Sequence, residues 1–379
     1  MSVGKGPSDV LNRARGALWG IFIGDGLGMP VHWYYNPNDI VTDFGSIEKY
    51  EAPKKRHPSS IMSLSNTGGG GRGGQSGRII GDVINHGKHV YWGDRNTHYH
   101  QGMQAGENTL NAQCARVAMR SIVSRGGFDP SGFLQDYAKF MTTPGTHNDT
   151  YAETYHRMFF ANFIKGVPLE RCADNDGHNT DSAGGLVTLP VASVHSALMA
   201  MNMQKSQAEV TKIAEERTAR LLLCTHRSDR LAAFARVYGG MLANLVAGAD
   251  LRSEIEKAAA SVGWAGGPQK LLQGGYRDEQ VVGRMLSPAC YIGDSFKIVL
   301  FLAYKYAGRP RDAMVANVNL GGENVHRGAA LGALLGAAHG ICGWPSEWVS
   351  DLFSAQDIKK EVDSLVGMTP AAPPAPAAS

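Results

Sequence analysis

The stretch VNLGGENVHRGAALGALLGAAHG, residues 318–340, joins a polar glycine turn to a run of small and apolar residues. Gly328, Ala329, Ala330, Gly332, Ala333, Gly336 and Ala337 make the run a tightly packed helix, because so little side chain stands between its backbone and its neighbours. The N-terminus of such a helix presents unpaired backbone N–H groups, which attract anions. Gly321 and Gly322 shape the turn before it, and Glu323 and His326 stand three apart, so they can point the same way. Taken alone, this is a capped helix start with a solvated glutamate and histidine.

Working outward, the same helical periodicity recurs along most of the chain. In VLNRARGALWGIFIGDGLG, Leu11, Ala14, Ala17, Leu18 and Ile21 repeat at helical spacing, with Ser8 or Asp9 as the cap and glycines ending the helix in a polar turn. From Gly106 onward, segments such as NTLNAQCARVAMRSIV, TYAETYHRMFFANFIKG, AEVTKIAEERTARLLLCTH and RLAAFARVYGGMLANLVAG carry apolar residues three and four apart. No alternating pattern of comparable strength marks strands. The expectation is an all-α, compact, orthogonal multi-helix domain over residues 1–366. Residues 66–78, NTGGGGRGGQSGR, predict a glycine-rich surface loop that lacks the GK[ST]-type ending of a phosphate cradle. Residues 367–379 predict a disordered Pro/Ala tail.

Composition narrows the function. Of the 379 residues 43% are apolar and 19% charged, the profile of a globular chain, and the net charge of +3 argues against nucleic acid or an anionic membrane as a partner. Five scattered cysteines without a CxxC pair give no disulfide framework and no thiolate zinc site. No stretch reads as a run of about eighteen apolar residues or as a cleaved leader, so a cytoplasmic location is expected.

Other helix ends carry polar clusters like the first. Asp25 and His32 lie in GIFIGDGLGMPVHWYYNP, Glu107, Asn108 and Thr109 open AGENTLNAQCARVAMRSI, Asp181 and Ser182 lie in NTDSAGGLVTLPVA, and Thr225 and His226 precede a small-residue helix. A shared cleft is expected from Gly24–His32, Glu107–Thr109, Asp181–Ser182 and Glu323–His326, with His147 and Asp149 (GTHNDTYAETY) and Asp294 (CYIGDSF) as further lining. Tyr34, Tyr35, Tyr151 and Tyr291 read either as packing groups or as platforms for a base or ribose.

These segments, in this order, resemble the ADP-ribosylglycohydrolase family. Its features are a GDxLGxP turn closed by a glutamate, a DDT cluster opening a helix, an NGxxMRxxP stretch, a TH pair, and NLGGDxDTxGAxxGAxxGA near the end. Here they fall on Gly24–His32, Gly106–Thr109, Ser182–Pro190, Thr225–His226 and Asn319–Ala337, so the resemblance spans about Arg15 to Gly343. It implies the family's helical fold, cleavage of the C1″ glycosidic bond of ADP-ribosylated substrates, and two magnesium ions held by the acidic motifs.

The departures bear on that last implication. The first-motif glutamate falls on His32, the paired aspartates on Glu107 and Asn108, and the threonine on Thr109; in the last motif Glu323 keeps an acid, while Val325 and His326 replace an aspartate and a threonine. Magnesium wants oxygen ligands in near-octahedral array. His32 and His326 with Glu107 and Glu323 suit a single transition metal better, and a site with no metal is the alternative. A carboxylate pair can also cleave a glycosidic bond without metal. Glu107 and Glu323 are the candidate pair, with Asp25 in reserve, and Asn108, Thr109, His147, Asp149, Asp181, Ser182, Gly321, Gly322 and Asp294 are candidate ligand-binding residues. The expected function is a divergent glycohydrolase acting on an ADP-ribosyl or related nucleotide-sugar bond of a small molecule or an ADP-ribosylated substrate. The alternatives are an inactive pseudo-glycohydrolase that binds an ADP-ribose-like ligand or a partner, and a different reaction on the same scaffold. From the substitutions alone, calorimetric titration with magnesium is expected to show no pair of tight sites.

Overall fold

The computed structural model describes residues 7–65 and 79–368. The glycine-rich loop expected at 66–78 and the tail from 369 lie outside the described residues, while Gly367 and Met368 close the last helix through bonds to Asp363 and Leu365. Helices of eight residues or more are α1 (Pro7–Gly28), α2 (Pro37–Phe44), α3 (Leu110–Ser124), α4 (Pro130–Thr142), α5 (Thr154–Phe163), α6 (Leu189–Asn202) and α7 (Gln207–Leu223). They continue as α8 (Asp229–Val246), α9 (Leu251–Ser261), α10 (Ile292–Lys305), α11 (Pro310–Asn319), α12 (Asn324–His339) and α13 (Ala355–Val366). Among the described residues β pairing is confined to isolated bridges such as Arg56 with Thr97 and Ser182 with Tyr291, so the fold is all-α.

The glycines expected to break the first helix do something else. Helix α1 runs through Gly16, Gly20 and Gly24 and takes in Asp25 in its last turn, while Ser8 and Asp9 lie inside its first turn, after Pro7. Each of those glycines faces a glycine of α12. A Cβ on Gly16 would overlap the carbonyl oxygen of Gly336, one on Gly20 that of Gly332, and one on Gly24 that of Gly328, and the clashes are reciprocal. The pairing runs in opposite directions along the two helices, so they are antiparallel with backbones in direct contact. A glycine inside a helix costs about 0.5–1 kcal/mol relative to alanine; here dispersion between the touching backbones offsets that cost.

Around this pair the other helices bury a continuous apolar core that includes Phe22, Leu242, Phe296, Phe301 and Leu334. Tyr238 of α8 donates to the Ala330 carbonyl of α12 at 2.9 Å, and Ser193 of α6 donates to Gly239 of α8 at 2.7 Å. Trp344 donates to the Gly16 carbonyl at 3.1 Å, bracing the middle of α1. On the outside, Arg116 forms a forked pair with Glu361, which ties α3 to α13. The segment Ala183–Asn202 is long and apolar enough to cross a membrane, contrary to the expectation from the chain's composition; 89% of its apolar window is buried in this core, the setting that explains its composition.

Because α1 and α12 touch backbone to backbone, an added methyl has no flexible neighbour to displace. Gly20→Ala or Gly332→Ala is expected to lower stability by about 1–3 kcal/mol in urea denaturation despite the gain in helix propensity. Gly308→Ala, where an added Cβ meets nothing within 4 Å, is expected to stay within about 0.5 kcal/mol of the parent.

Candidate functional site

The antiparallel pairing sets the C-terminal end of α1 beside the N-terminal end of α12. Past Gly28 the chain makes a short helical turn, Met29–Val31, and presents His32 and Trp33 to the turn that precedes α12. Trp33 donates to the Gly322 carbonyl at 2.8 Å and Gly322 donates to Tyr34 at 2.7 Å, so the two segments are laced together. The double glycine is required there. Gly321 and Gly322 both have left-handed backbones, at φ 67° and 66°. A Cβ on the first would overlap the Tyr34 carbonyl, and one on the second the Pro288 carbonyl. Beneath the turn, buried Arg327 donates to Asn317 Oδ1 at 2.7 Å and to the Gly321 carbonyl at 2.8 Å. Trp33 itself holds φ at 62°, a conformation bulky residues seldom adopt, maintained here by contacts on both sides.

Glu323 and His326 are buried, not solvated. Oε2 of Glu323 accepts the Trp33 indole N–H at 2.6 Å, and Oε1 lies 3.1 Å from His32 Nε2 and 2.7 Å from His326 Nδ1. The last contact is an ion pair lying off the hydrogen-bond direction. Burial alone would raise the Glu323 carboxyl, but the charges of His326 and His32 outweigh it and hold the group well below the usual carboxylate range. For His326, burial opposes the charged form, and Glu323 with Glu153 overrides it, bringing the ring to about 9. Burial dominates at His32 and takes it down to about 3.

A chain of hydrogen bonds leads away from Glu323. His32 Nδ1 lies 2.7 Å from His100 Nε2, and His100 Nδ1 lies 2.7 Å from Asp149 Oδ1. Asp149 is anchored in turn by the backbone N–H groups of Leu110, at 2.7 Å, and Tyr151, at 3.1 Å. With a carboxylate at each end, three hydrogen bonds require three protons on four ring nitrogens. One of the two rings must then carry both protons. Around this chain, His57 donates its Nε2–H to the His32 carbonyl at 2.8 Å, and the Trp33 ring stacks on His32 at 3.8 Å.

Asp25 is wholly buried and faces the start of α3. Its Oδ1 accepts from Asn108 Nδ2 at 2.9 Å and Thr109 N at 2.7 Å, and its Oδ2 accepts the Thr109 hydroxyl at 2.6 Å. Burial raises its carboxyl against those three bonds. Glu107 turns the other way, accepting from Gln104 N at 2.6 Å and Asn148 Nδ2 at 3.1 Å. The second carboxylate beside His326 is Glu153, whose Oε2 lies 3.9 Å from the same Nδ1. Glu153 also accepts from Asn111 Nδ2 at 2.6 Å and Ser182 Oγ at 3.2 Å, and burial raises its carboxyl.

The structure therefore brings His32, Glu323 and His326 together with Asp149, through His100, and with Ser182, through Glu153. Asp181 lies further out, bonded to Ser228 and 3.8 Å from Arg230. Asp294 caps Ser287 N at 3.0 Å, and His147 is half-buried against Phe140, with desolvation lowering it to about 4. Tyr34 is buried and Tyr151 half-buried; Tyr35 and Tyr291 are exposed, the latter bonded to His178 at 2.8 Å, and the charge of Glu323 reaches Tyr35. Glu153 and His100 were missed in the sequence. Glu153 is the N-cap of α5, the same helix-start position that singles out Glu323, and that signal could have found it. His100 lies in a turn-rich stretch with no periodicity to flag it.

Comparison with known proteins agrees with this architecture. The model of the ADP-ribosylglycohydrolase family matches residues 6–374. A solved structure described as an ADP-ribosylglycohydrolase-related protein complex superposes with a TM-score of 0.62 at 17% identity, covering 95% of this chain and 99% of that one, a likeness of fold. Among curated protein sequences none matches the chain. With the family model spanning nearly every residue, and the glycine-paired helices carrying its first and last motifs to one place, the chain belongs to the ADP-ribosylglycohydrolase family.

Proposed function

We propose that the protein hydrolyses a glycosidic bond at the anomeric carbon of an ADP-ribosyl group or a related nucleotide sugar, carried by a small molecule or a modified macromolecule. The observation that carries the reading is that two buried carboxylates, Glu323 and Glu153, approach one nitrogen of His326, at 2.7 Å and 3.9 Å. Glycoside hydrolysis needs two such groups, one to protonate the leaving atom and one to activate water against an oxocarbenium-like centre. Glu153, oriented by Asn111 and Ser182, gives its proton to the leaving group as the C1″ bond breaks. The Glu323 cluster orients the water that attacks C1″ and takes up the proton released. That proton returns to Glu153 between turnovers, which restores both carboxylates. Exposed Tyr35 and Tyr291 offer ring faces for a base or ribose.

The donor set favours a chemistry without the magnesium pair that the family implies. Magnesium needs oxygen ligands. The Thr109 hydroxyl and the Asn108 amide are both given to Asp25, the Glu107 carboxylate faces Gln104, and buried Val325 has no ligand atom. No step of the reaction above passes through those ions.

Release of ADP-ribose from ADP-ribosyl-arginine, ADP-ribosyl-serine and free nucleotide sugars tests the reading. Glu153→Gln is expected to slow it by about a hundredfold to ten-thousandfold, the worth of acid–base assistance, with a thermal melt close to the parent. Glu323→Gln is expected to slow it as much and also to cost about 3–5 kcal/mol of stability, because it strips the partner from a buried imidazolium. Glu107→Gln is expected to change the rate by less than about tenfold. If the parent protein releases ADP-ribose from none of these yet is stabilised by ADP-ribose, the binding reading replaces this one.

A further inference from the structure

The geometry points to a single zinc-class transition-metal site formed by His32, Glu323 and His326. One ligand atom from each of the three lies within 4.8 Å of the others, and all three residues are buried. Ligands bonded to one such ion at about 2.0–2.1 Å stand about 3 Å apart, and Glu323 Oε1 stands 3.1 Å from His32 Nε2 and 2.7 Å from His326 Nδ1. His326 Nδ1 lies close to that oxygen but off the hydrogen-bond direction, a costly arrangement for a buried ring nitrogen unless something else engages it. Two imidazoles and one carboxylate with the remaining positions open form a donor set for zinc or iron, and not for magnesium.

The surroundings have the form that orients metal ligands. A ligating histidine commonly gives its other ring N–H to a carboxylate or a relay ending in one, which fixes its tautomer and raises its basicity. His32 does this through His100 to Asp149, and Trp33 fixes Glu323 through Oε2, leaving Oε1 for the ion. The proton count supports the same assignment. With an ion in place of the proton on His32 Nε2, His32 donates to His100 and His100 donates to Asp149, so both rings carry one proton each and the buried chain needs no second imidazolium. The inference rests on the proposed hydrolysis only in placing the ion where water is activated; the binding it predicts is independent of turnover.

The test uses the full chain, stripped with a chelator and dialysed. Titration with zinc is expected to show one tight site per chain and a raised melting temperature, with neither effect from magnesium at the same concentration. Cobalt is expected to give a visible absorption band of a low-coordinate nitrogen–oxygen site, displaced by one equivalent of zinc. His100→Ala, which leaves all three ligands in place, is expected to weaken zinc binding by about 10- to 100-fold, while His89→Ala on the surface leaves it unchanged. A folded parent protein that binds neither zinc nor cobalt, or that binds two magnesium ions instead, overturns the inference. One bound zinc without turnover of any ribosyl substrate upholds it and removes the hydrolase reading.

Discussion

The contact between α1 and α12 is made of backbone. Three glycines on each helix, four residues apart, meet with no side chain between them, and the two helices run antiparallel. That closeness does more than stabilise the core. It sets the last turn of α1 and the first turn of α12 at one level, so that loops of a few residues can bring His32 and Trp33 against Glu323 and His326. Helices held apart by ordinary side chains, at about 8–10 Å between axes, would separate those loop ends and leave the lacing between Trp33 and Gly322 unmade. The small-residue pattern is thus a positional device for the site.

The site itself is an unusual load for a protein interior. Glu323, Glu153, Asp25 and Asp149 are all buried, and each carboxylate taken out of water needs several strong partners in return. The fold supplies them from helix starts. Leu110 N at the head of α3 and Thr109 N before it serve Asp149 and Asp25. Imidazoles add to these, His32 and His326 on Glu323 and His100 on Asp149, beside the Trp33 indole on Glu323 and the side chains of Asn111 and Ser182 on Glu153. His32 and His326 thereby set two ring nitrogens beside one carboxylate oxygen of Glu323.

Much of this was legible along the chain because it depends on local periodicity. Apolar residues three and four apart mark α3, α5, α7 and α8, and the double glycine before Glu323 marks a turn that only left-handed residues can make. The same reasoning went astray at Gly24, where a glycine that breaks an isolated helix is one that admits a second helix in the folded protein. It also passed over the apolar stretch Ala183–Asn202, whose composition alone would suit a lipid environment and whose setting is a protein core.

What the sequence determined by itself is the set of helices, their polar ends, and the family they identify, since each of those rests on residues close together in the chain. Which polar ends meet was decided by tertiary structure. Glu107 and Glu323 look equivalent as helix-start carboxylates, yet Glu107 turns toward Gln104 and Asn148, and Glu153 takes the place beside His326. His100, in a stretch with no pattern of its own, becomes the link between His32 and Asp149. The physical reason is that a side chain's partner across 42 to 291 residues of sequence is set by how helices pack, and that packing is fixed by backbone contacts such as those of Gly16, Gly20 and Gly24, which no local window of sequence contains.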